Sequence, residues 1–342
     1  MDWRDYINSK EIATYIKELA PEMLIGEALF PRKKQLGMDL KYIKGAKKKP
    51  VVLKPSTFDV AVKARTLKAE LDVKMKRMPF FKESVIVSEE NRQQLLLASQ
   101  AENKELLMMI LSEIYDNYVG LVDGGDMQME RMRMQALANG FINITSDDGD
   151  VIFDFEVPTE HKEVLTGNAV WSNPEADIVG DIERWKIKMR NAGYAVPTRM
   201  VLTSKTFGYI AKNKAIKFDI DKDGRVILTD EMIKNYLKNK LGISTAVVSG
   251  TYKLEDDTEE QYFPDNKVTL IPDGNLGATY YGTTPEEADK MYSSKLDCSI
   301  VRTGVAVTTM RKEDPVTVET KVSQLGMPSF EKADECFFST VA

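Results

Sequence analysis

Two alternating runs between residues 58 and 75 constrain this 342-residue chain more than any other stretch. Phe58, Val60, Val62 and Ala64 alternate with Asp59, Lys63 and Arg65, and Leu71, Val73 and Met75 alternate with Asp72, Lys74 and Lys76. A period of two is the mark of half-buried strands, so residues 50–87 are expected to form an extended hairpin with one apolar face. Arms of about ten residues, at ~3.3 Å each, reach some 30 Å, and a two-stranded ribbon of that kind is marginal in water alone. The apolar face needs a cover, and a neighbouring copy of the same chain can supply it. Phe58, Val60, Val62, Leu71, Val73 and Met75 are therefore the candidate intersubunit residues.

The rest of the chain narrows what such a protein can do. A net charge of −6 argues against a dedicated nucleic-acid binder, while 43% apolar and 29% charged content is that of a folded protein with room for about two domains. Cys298 and Cys336 have no paired spacing, which suggests neither a disulfide framework nor a zinc site and fits a reducing compartment. No run approaches the ~20 apolar residues of a membrane span, and no secretion signal opens the sequence. His161 is the single histidine and sits in a polar linker, so no histidine-based triad is expected. Phosphate loops, zinc-protease helices, nucleophile elbows and paired-cysteine motifs are all missing. No enzyme and no cofactor is expected.

Taken in order, residues 1–35 read as an arm with a short helix around Ile12, Tyr15, Ile16 and Leu19. Between Arg32 and Lys49 stand eight basic residues against Asp39, read either as a solvated loop or as a contact for nucleic acid or an acidic neighbour. Ser88 is expected to cap a helix with Glu89 and Glu90 in its first turn, running to about Val119 through Leu107, Leu111, Ile114 and Tyr118. Asp123-Gly-Gly-Asp126 is expected to break it before a second helix, 127–139, that stops at Gly140. Residues 141–145 and 151–157 read as a hairpin turning at Gly149. Asn173 is expected to cap a helix striped by Ile178, Ile182, Trp185 and Met189. The strand–helix alternation of residues 174–271 then describes an α/β-type central domain. Valine-rich strands after Asp297 are expected to return to the sheet begun at residues 141–157.

One motif carries possible chemistry. Asp219, Asp221 and Asp223, then Gly224 and Asp230, follow a calcium-loop spacing, but the twelfth position lacks the longer Glu. The same residues read equally as a turn at Asp223-Gly224 followed by a helix capped at Thr229.

In order and spacing, several short signals resemble tailed-phage major capsid proteins with the Hong Kong 97-type fold, specifically the lambda-type major capsid protein E family. They include Met78-Pro-Phe-Phe-Lys82, Gln135-Ala-Leu-Ala-Asn-Gly140, Trp171 ahead of Pro174, Ala195-Val-Pro-Thr-Arg-Met-Val-Leu202, Tyr280-Tyr-Gly282 and Asp314-Pro-Val to Leu325-Gly-Met-Pro328. The resemblance covers nearly the whole chain. It implies an α+β architecture: an N-terminal arm at 1–49, an extended hairpin loop at 50–87 and a peripheral domain with its spine helix at 88–173. An inserted axial domain at 174–296 and returning C-terminal strands at 297–342 complete it. It also implies a major capsid protein that assembles as hexamers and pentamers into an icosahedral head around double-stranded DNA, built in the host cytoplasm and residing in the virion. Its implied partners are further copies of itself, a separate scaffolding protein, a portal and non-specific contact with packaged DNA, with a decoration protein left open and no membrane. An encapsulin-like shell and a calcium-binding module built on residues 219–230 are the alternatives.

Overall fold

The computed structural model describes residues 7–19, 24–44, 72–101, 103–144, 151–223, 227–254, 256–292 and 296–342. Helix α1 (Ser9–Glu18) begins where the Asn8 side chain accepts hydrogen bonds from the Lys10 and Glu11 amides. Ile12, Ala13 and Ile16 form its buried face. A short α2 (Ile25–Leu29), β1 (Arg32–Lys34) and β2 (Asp39–Lys44) follow. The basic run read from sequence as a loop thus contains two strands. β3 (Asp72–Arg77) pairs with β2, while the predicted arm Phe58–Ala64 lies outside the described residues.

β4 (Phe80–Val87) leads through the Ser88 cap, which accepts from the Asn91 amide at 3.2 Å, into α3 (Glu89–Gln100). The helical rod is interrupted here and not at the glycine pair. Asn103 caps α4 (Lys104–Asn139) by accepting from the Leu106 amide at 3.1 Å, and α4 then runs 36 residues straight through Gly124-Gly125. Two interior glycines cost an isolated helix about 1 kcal/mol each. Tertiary packing overrides that cost, because a Cβ on Gly125 would stand 2.5 Å from Gln324 Oε1. Glycine at 125 admits a neighbouring strand and does not end the helix.

β5 (Phe141–Ile144) and β6 (Val151–Asp154) form the expected hairpin, paired from Phe141–Asp154 to Ile144–Val151. Its turn at Gly149 is outside the described residues. β7 (Lys162–Val164) precedes α5 (Ile178–Asn191), which is capped by Asp177 and not Asn173: Asp177 Oδ1 accepts from the Gly180 amide at 2.9 Å, and Asn173 serves a preceding turn at the Glu175 amide. β8 (Arg199–Thr203), α6 (Ser204–Lys212), α7 (Lys214–Ile220) and α8 (Asp230–Leu241) continue the alternation. Thr229 caps α8, and Gly242 closes it with φ of 66°, a left-handed conformation that glycine adopts without strain. Then come β9 (Ser244–Val248), β10 (Thr251–Lys253), β11 (Glu259–Gln261), β12 (Lys267–Ile271), β13 (Ala278–Tyr281), α9 (Pro285–Tyr292), β14 (Asp297–Arg302), β15 (Val305–Glu313), β16 (Val316–Ser329) and β17 (Phe337–Thr340).

These elements fall into two units. The first comprises residues 1–41, 75–133 and 277–329; the second comprises 42–74, 134–276 and 330–342. In the first unit β16 is the backbone of the sheet: it pairs antiparallel with β15, with β4 and, at its end, with β13, which is followed by β1 in parallel. The valine-rich strands after Asp297 therefore return to β4 and not to the hairpin of residues 141–154. Ile12, Ile16, Leu95, Leu107, Leu111, Ile114, Tyr118, Val307 and Val322 share one core beneath this sheet. In the second unit the sheet order is β7-β17-β12-β8-β9, with β17 beside β12 and the α5 stripe packed with Leu202, Leu237, Leu270 and Phe337. Trp171 stacks on Trp185 at 5.7 Å and Trp185 on Phe337 at 5.4 Å.

Candidate assembly surfaces

In the first unit, charge holds the arm in place. Arg133 is fully buried on α4 and donates to Thr279 Oγ1 at 2.8 Å, Glu130 Oε2 at 3.1 Å and the Tyr281 hydroxyl at 3.4 Å. The other Glu130 oxygen accepts from the Gly26 amide at 2.7 Å, which ties α2 to α4. Burial raises the Glu130 carboxyl above its usual range. Next to this pair, Arg32 donates to Glu27 at 2.7 Å and stands 3.0 Å from Asp126, and Arg302 also pairs with Asp126. The Arg32 hydrogen bond holds Glu27 below the ordinary carboxylate range. The three guanidinium groups are spent on internal carboxylates, so this cluster positions the arm and offers no reactive group. Arg32 belonged to the basic run, yet its role is internal. Lys34 likewise bonds Glu287 at 2.5 Å.

Of the six candidate intersubunit residues, Phe58, Val60, Val62 and Leu71 lie outside the described residues. Val73 and Met75 fall on β3. A surface absent from the sequence expectations lies on α3 and α4, where Leu97 is 65% exposed and Met109 64% exposed, with Leu96, Leu106 and Met108 also open to solvent. Both helices carry apolar residues on their outer as well as their inner sides. The signal was present in Leu95-Leu-Leu97 and Leu106-Leu-Met-Met109, where runs of consecutive apolar residues, each turned about 100° from the last, cannot all lie on one side of a helix.

His161 is not an exposed linker residue. It is buried in a short 3-10 turn, edge-on to Tyr194 at 5.0 Å, and burial lowers its pKa from the ordinary histidine value. Along the aspartate motif, Asp219 lies in the last turn of α7 and accepts from the Tyr236 hydroxyl at 2.6 Å, with Lys240 3.6 Å away. The Tyr236 bond holds Asp219 below the ordinary carboxylate range. Asp221 accepts from the Asp223 amide, and Asp230 opens α8. Residues 224–226 are outside the described set, and among the described residues no three acidic, histidine or cysteine side chains are grouped to hold a metal ion. Among those residues, too, no helix is long and apolar enough to cross a membrane.

Comparison with known proteins gives one family. The family described as phage major capsid protein E matches residues 8–341. No curated protein sequence matches the chain. Among solved structures, one named as a candidate prophage capsid protein from E. coli CFT073 is similar with a TM-score of 0.64 at 13% identity, covering 98% of this chain and 99% of the other. A phage-related protein from Bordetella bronchiseptica RB50 is similar with a TM-score of 0.56 at 14% identity, covering 98% of each chain.

Proposed function

Because the chain belongs to the phage major capsid protein E family and is a phage or prophage major capsid protein that assembles into multimeric shells, we propose that it does so through hexamers and pentamers closing into an icosahedral head around double-stranded DNA. The family match across residues 8–341 carries this reading, and the likeness of fold to the prophage protein from E. coli supports it. In this reading residues 1–49 are the arm, residues 50–87 an extended loop lying over the adjacent copy, residues 88–173 the peripheral domain, residues 174–296 the axial domain and residues 297–342 the returning strands. The alternating faces of Phe58, Val60, Val62, Leu71, Val73 and Met75 gain their cover from that neighbour.

The subunit acts by binding and not by catalysis. A scaffolding protein guides assembly, a portal closes one vertex, and assembly takes place in the host cytoplasm before the shell becomes the virion head. Packaged DNA meets the inner surface through the remaining lysines of residues 32–49, without sequence preference. Expression of the protein alone and with its scaffold, followed by negative-stain electron microscopy of the high-mass fraction, tests the reading. Closed shells or hexameric rings are expected; a uniform monomer in every condition overturns it.

A further inference from the structure

The sheet of the first unit has a strand edge that nothing among the described residues covers. β4 pairs with β16 from Phe80–Leu325 to Val87–Val318, and the other side of β16 is taken by β15. The Gly326 amide donates to the Pro79 carbonyl, which sets the phase of the ladder. With Pro79 in a bonded pair, Phe81, Glu83, Val85 and Val87 bond to β16, while Phe80, Lys82, Ser84 and Ile86 turn their N–H and C=O groups outward. Among the described residues no strand pairs that outer edge, and none of its N–H and C=O groups takes a backbone partner. Ile86 is also 50% exposed. An open edge of 8 residues, ~26 Å long at ~3.3 Å per residue, is a template for another strand.

The sequence holds a strand that fits it. Residues 58–65, Phe-Asp-Val-Ala-Val-Lys-Ala-Arg, carry the alternating pattern and equal β4 in length. β2 and β3, at either end of the run that contains them, pair with each other and leave the β4 edge open. Set antiparallel to β4 with Lys63 opposite the exposed Glu83, the run brings Ala61 opposite Val85 and Val60 opposite Ile86. No like charges then face each other, because Asp59 meets Val87, Ala64 meets Lys82 and Arg65 meets Phe81.

We propose that residues 58–65 of one copy add to the β4 edge of the next copy as an antiparallel strand, extending its sheet. The proposal rests on the reading of the chain as a shell-forming subunit whose extended loop lies over a neighbour, and it names where that loop is seated. Main-chain hydrogen bonds supply the hold, and the Lys63–Glu83 and Val60–Ile86 pairs set the register. The two surfaces differ, so the contact is heterologous and repeats from copy to copy around a ring.

Covalent trapping tests the seat. Both native cysteines are buried, so a Lys63→Cys protein and a Glu83→Cys protein each add one new thiol outside the core. In this register the two positions form a non-hydrogen-bonded pair, with Cα atoms about 4.5 Å apart and within reach of a disulfide. Mixed during assembly and oxidised with diamide, the two proteins should give a covalent dimer on a non-reducing gel, with roughly tenfold less from either alone. A mixture that assembles without dimers overturns the proposal, as does a protein carrying both cysteines that crosslinks only within one chain.

Ser84→Pro tests the edge itself. The Ser84 N–H points outward, so proline there costs the subunit only the exposed hydroxyl bond to Glu319, and its melting should stay near the parent's. Val85→Pro removes a bond to β16 and should melt well below both. Ser84→Pro should lose roughly tenfold or more of its shell fraction in sedimentation, because proline blocks strand addition at the middle of the edge. Normal shells from Ser84→Pro overturn the proposal. So does a Ser84→Pro subunit that unfolds with Val85→Pro, since that N–H would then be bonded within the subunit. A parent protein that never assembles removes the shell reading itself, and this proposal with it.

Discussion

In the first unit, beside its apolar core, a buried Arg133 is held by Glu130, Thr279 and Tyr281, whereas the second unit buries the ring stack of Trp171, Trp185 and Phe337. The ring stack comes with a helix stripe, Ile178, Ile182, Trp185 and Met189, whose spacing reports burial directly. The charged cluster joins residues far apart in sequence, Gly26 to Glu130 and Asp126 to Arg302, and each partner alone looks like an ordinary surface charge. Burying apolar area stabilises without direction; burying an ion pair adds little net stability but fixes geometry, because either partner left alone is costly. The second unit is therefore built for bulk and the first for the placement of its arm.

The sharpest way to break this contrast is to empty each core in turn. Trp185→Ala removes two stacked contacts and should cost about 5 kcal/mol in urea unfolding, at the upper end for such truncations. Arg133→Met should cost about 3 kcal/mol, mostly through the Glu130 carboxylate left buried and unpaired. Adding Glu130→Leu to Arg133→Met should return part of that loss, and limited proteolysis near residues 24–34 should stay enhanced because the Gly26 anchor is gone. A double variant no more stable than the single one contradicts the ionic account. Gly125→Ala, a good helix former by propensity, should gain less than the ~1 kcal/mol that propensity alone allows, because the added Cβ meets the end of the buried Gln324 side chain, which must move. A full gain there would show that the close approach is not required.

A smaller effect separates the units by pH. His161 has a folded pKa below the ordinary 6.5, so the unfolded chain takes up the proton first as pH falls. Its contribution to stability is full above that ordinary value and is lost as pH drops through it toward the folded value, by no more than about 1.4 kcal/mol per pH unit for one proton. Asp334 and Glu160, whose charges favour the imidazolium, oppose the shift and do not cancel it. His161→Asn should flatten the stability curve of the second unit just below neutral pH. An unchanged slope would assign it to another group.

Legibility in the sequence follows the same division. The α5 stripe, the Thr229 cap of α8 and the 141–154 hairpin were readable because each is a local pattern with a local cause. The break of the long helix was misplaced because propensity treats Gly124-Gly125 as a terminator, while the structure uses Gly125 to admit Gln324 and lets Asn103 make the cap. The internal roles of Arg32 and Lys34 within the basic segment were not legible for a related reason: nothing near Arg32 in sequence announces Asp126. Strand partners were harder still, since β4 and β16 are more than 230 residues apart and the valines of β16 fit any apolar edge. The outer apolar side of α3 and α4 could have been seen in its consecutive leucines and methionines, which no single buried stripe can hold.

The most direct measurement is sedimentation velocity on a Val60→Asp, Val62→Asp protein beside the parent, with circular dichroism to report folding. In the proposed function the alternating apolar residues of 58–75 are covered by a neighbour and not by the subunit's own core, so the variant should remain a folded monomer or small oligomer under conditions where the parent forms shells. Shells of normal size and yield from the variant would contradict that assignment, and with it the role given to the extended loop.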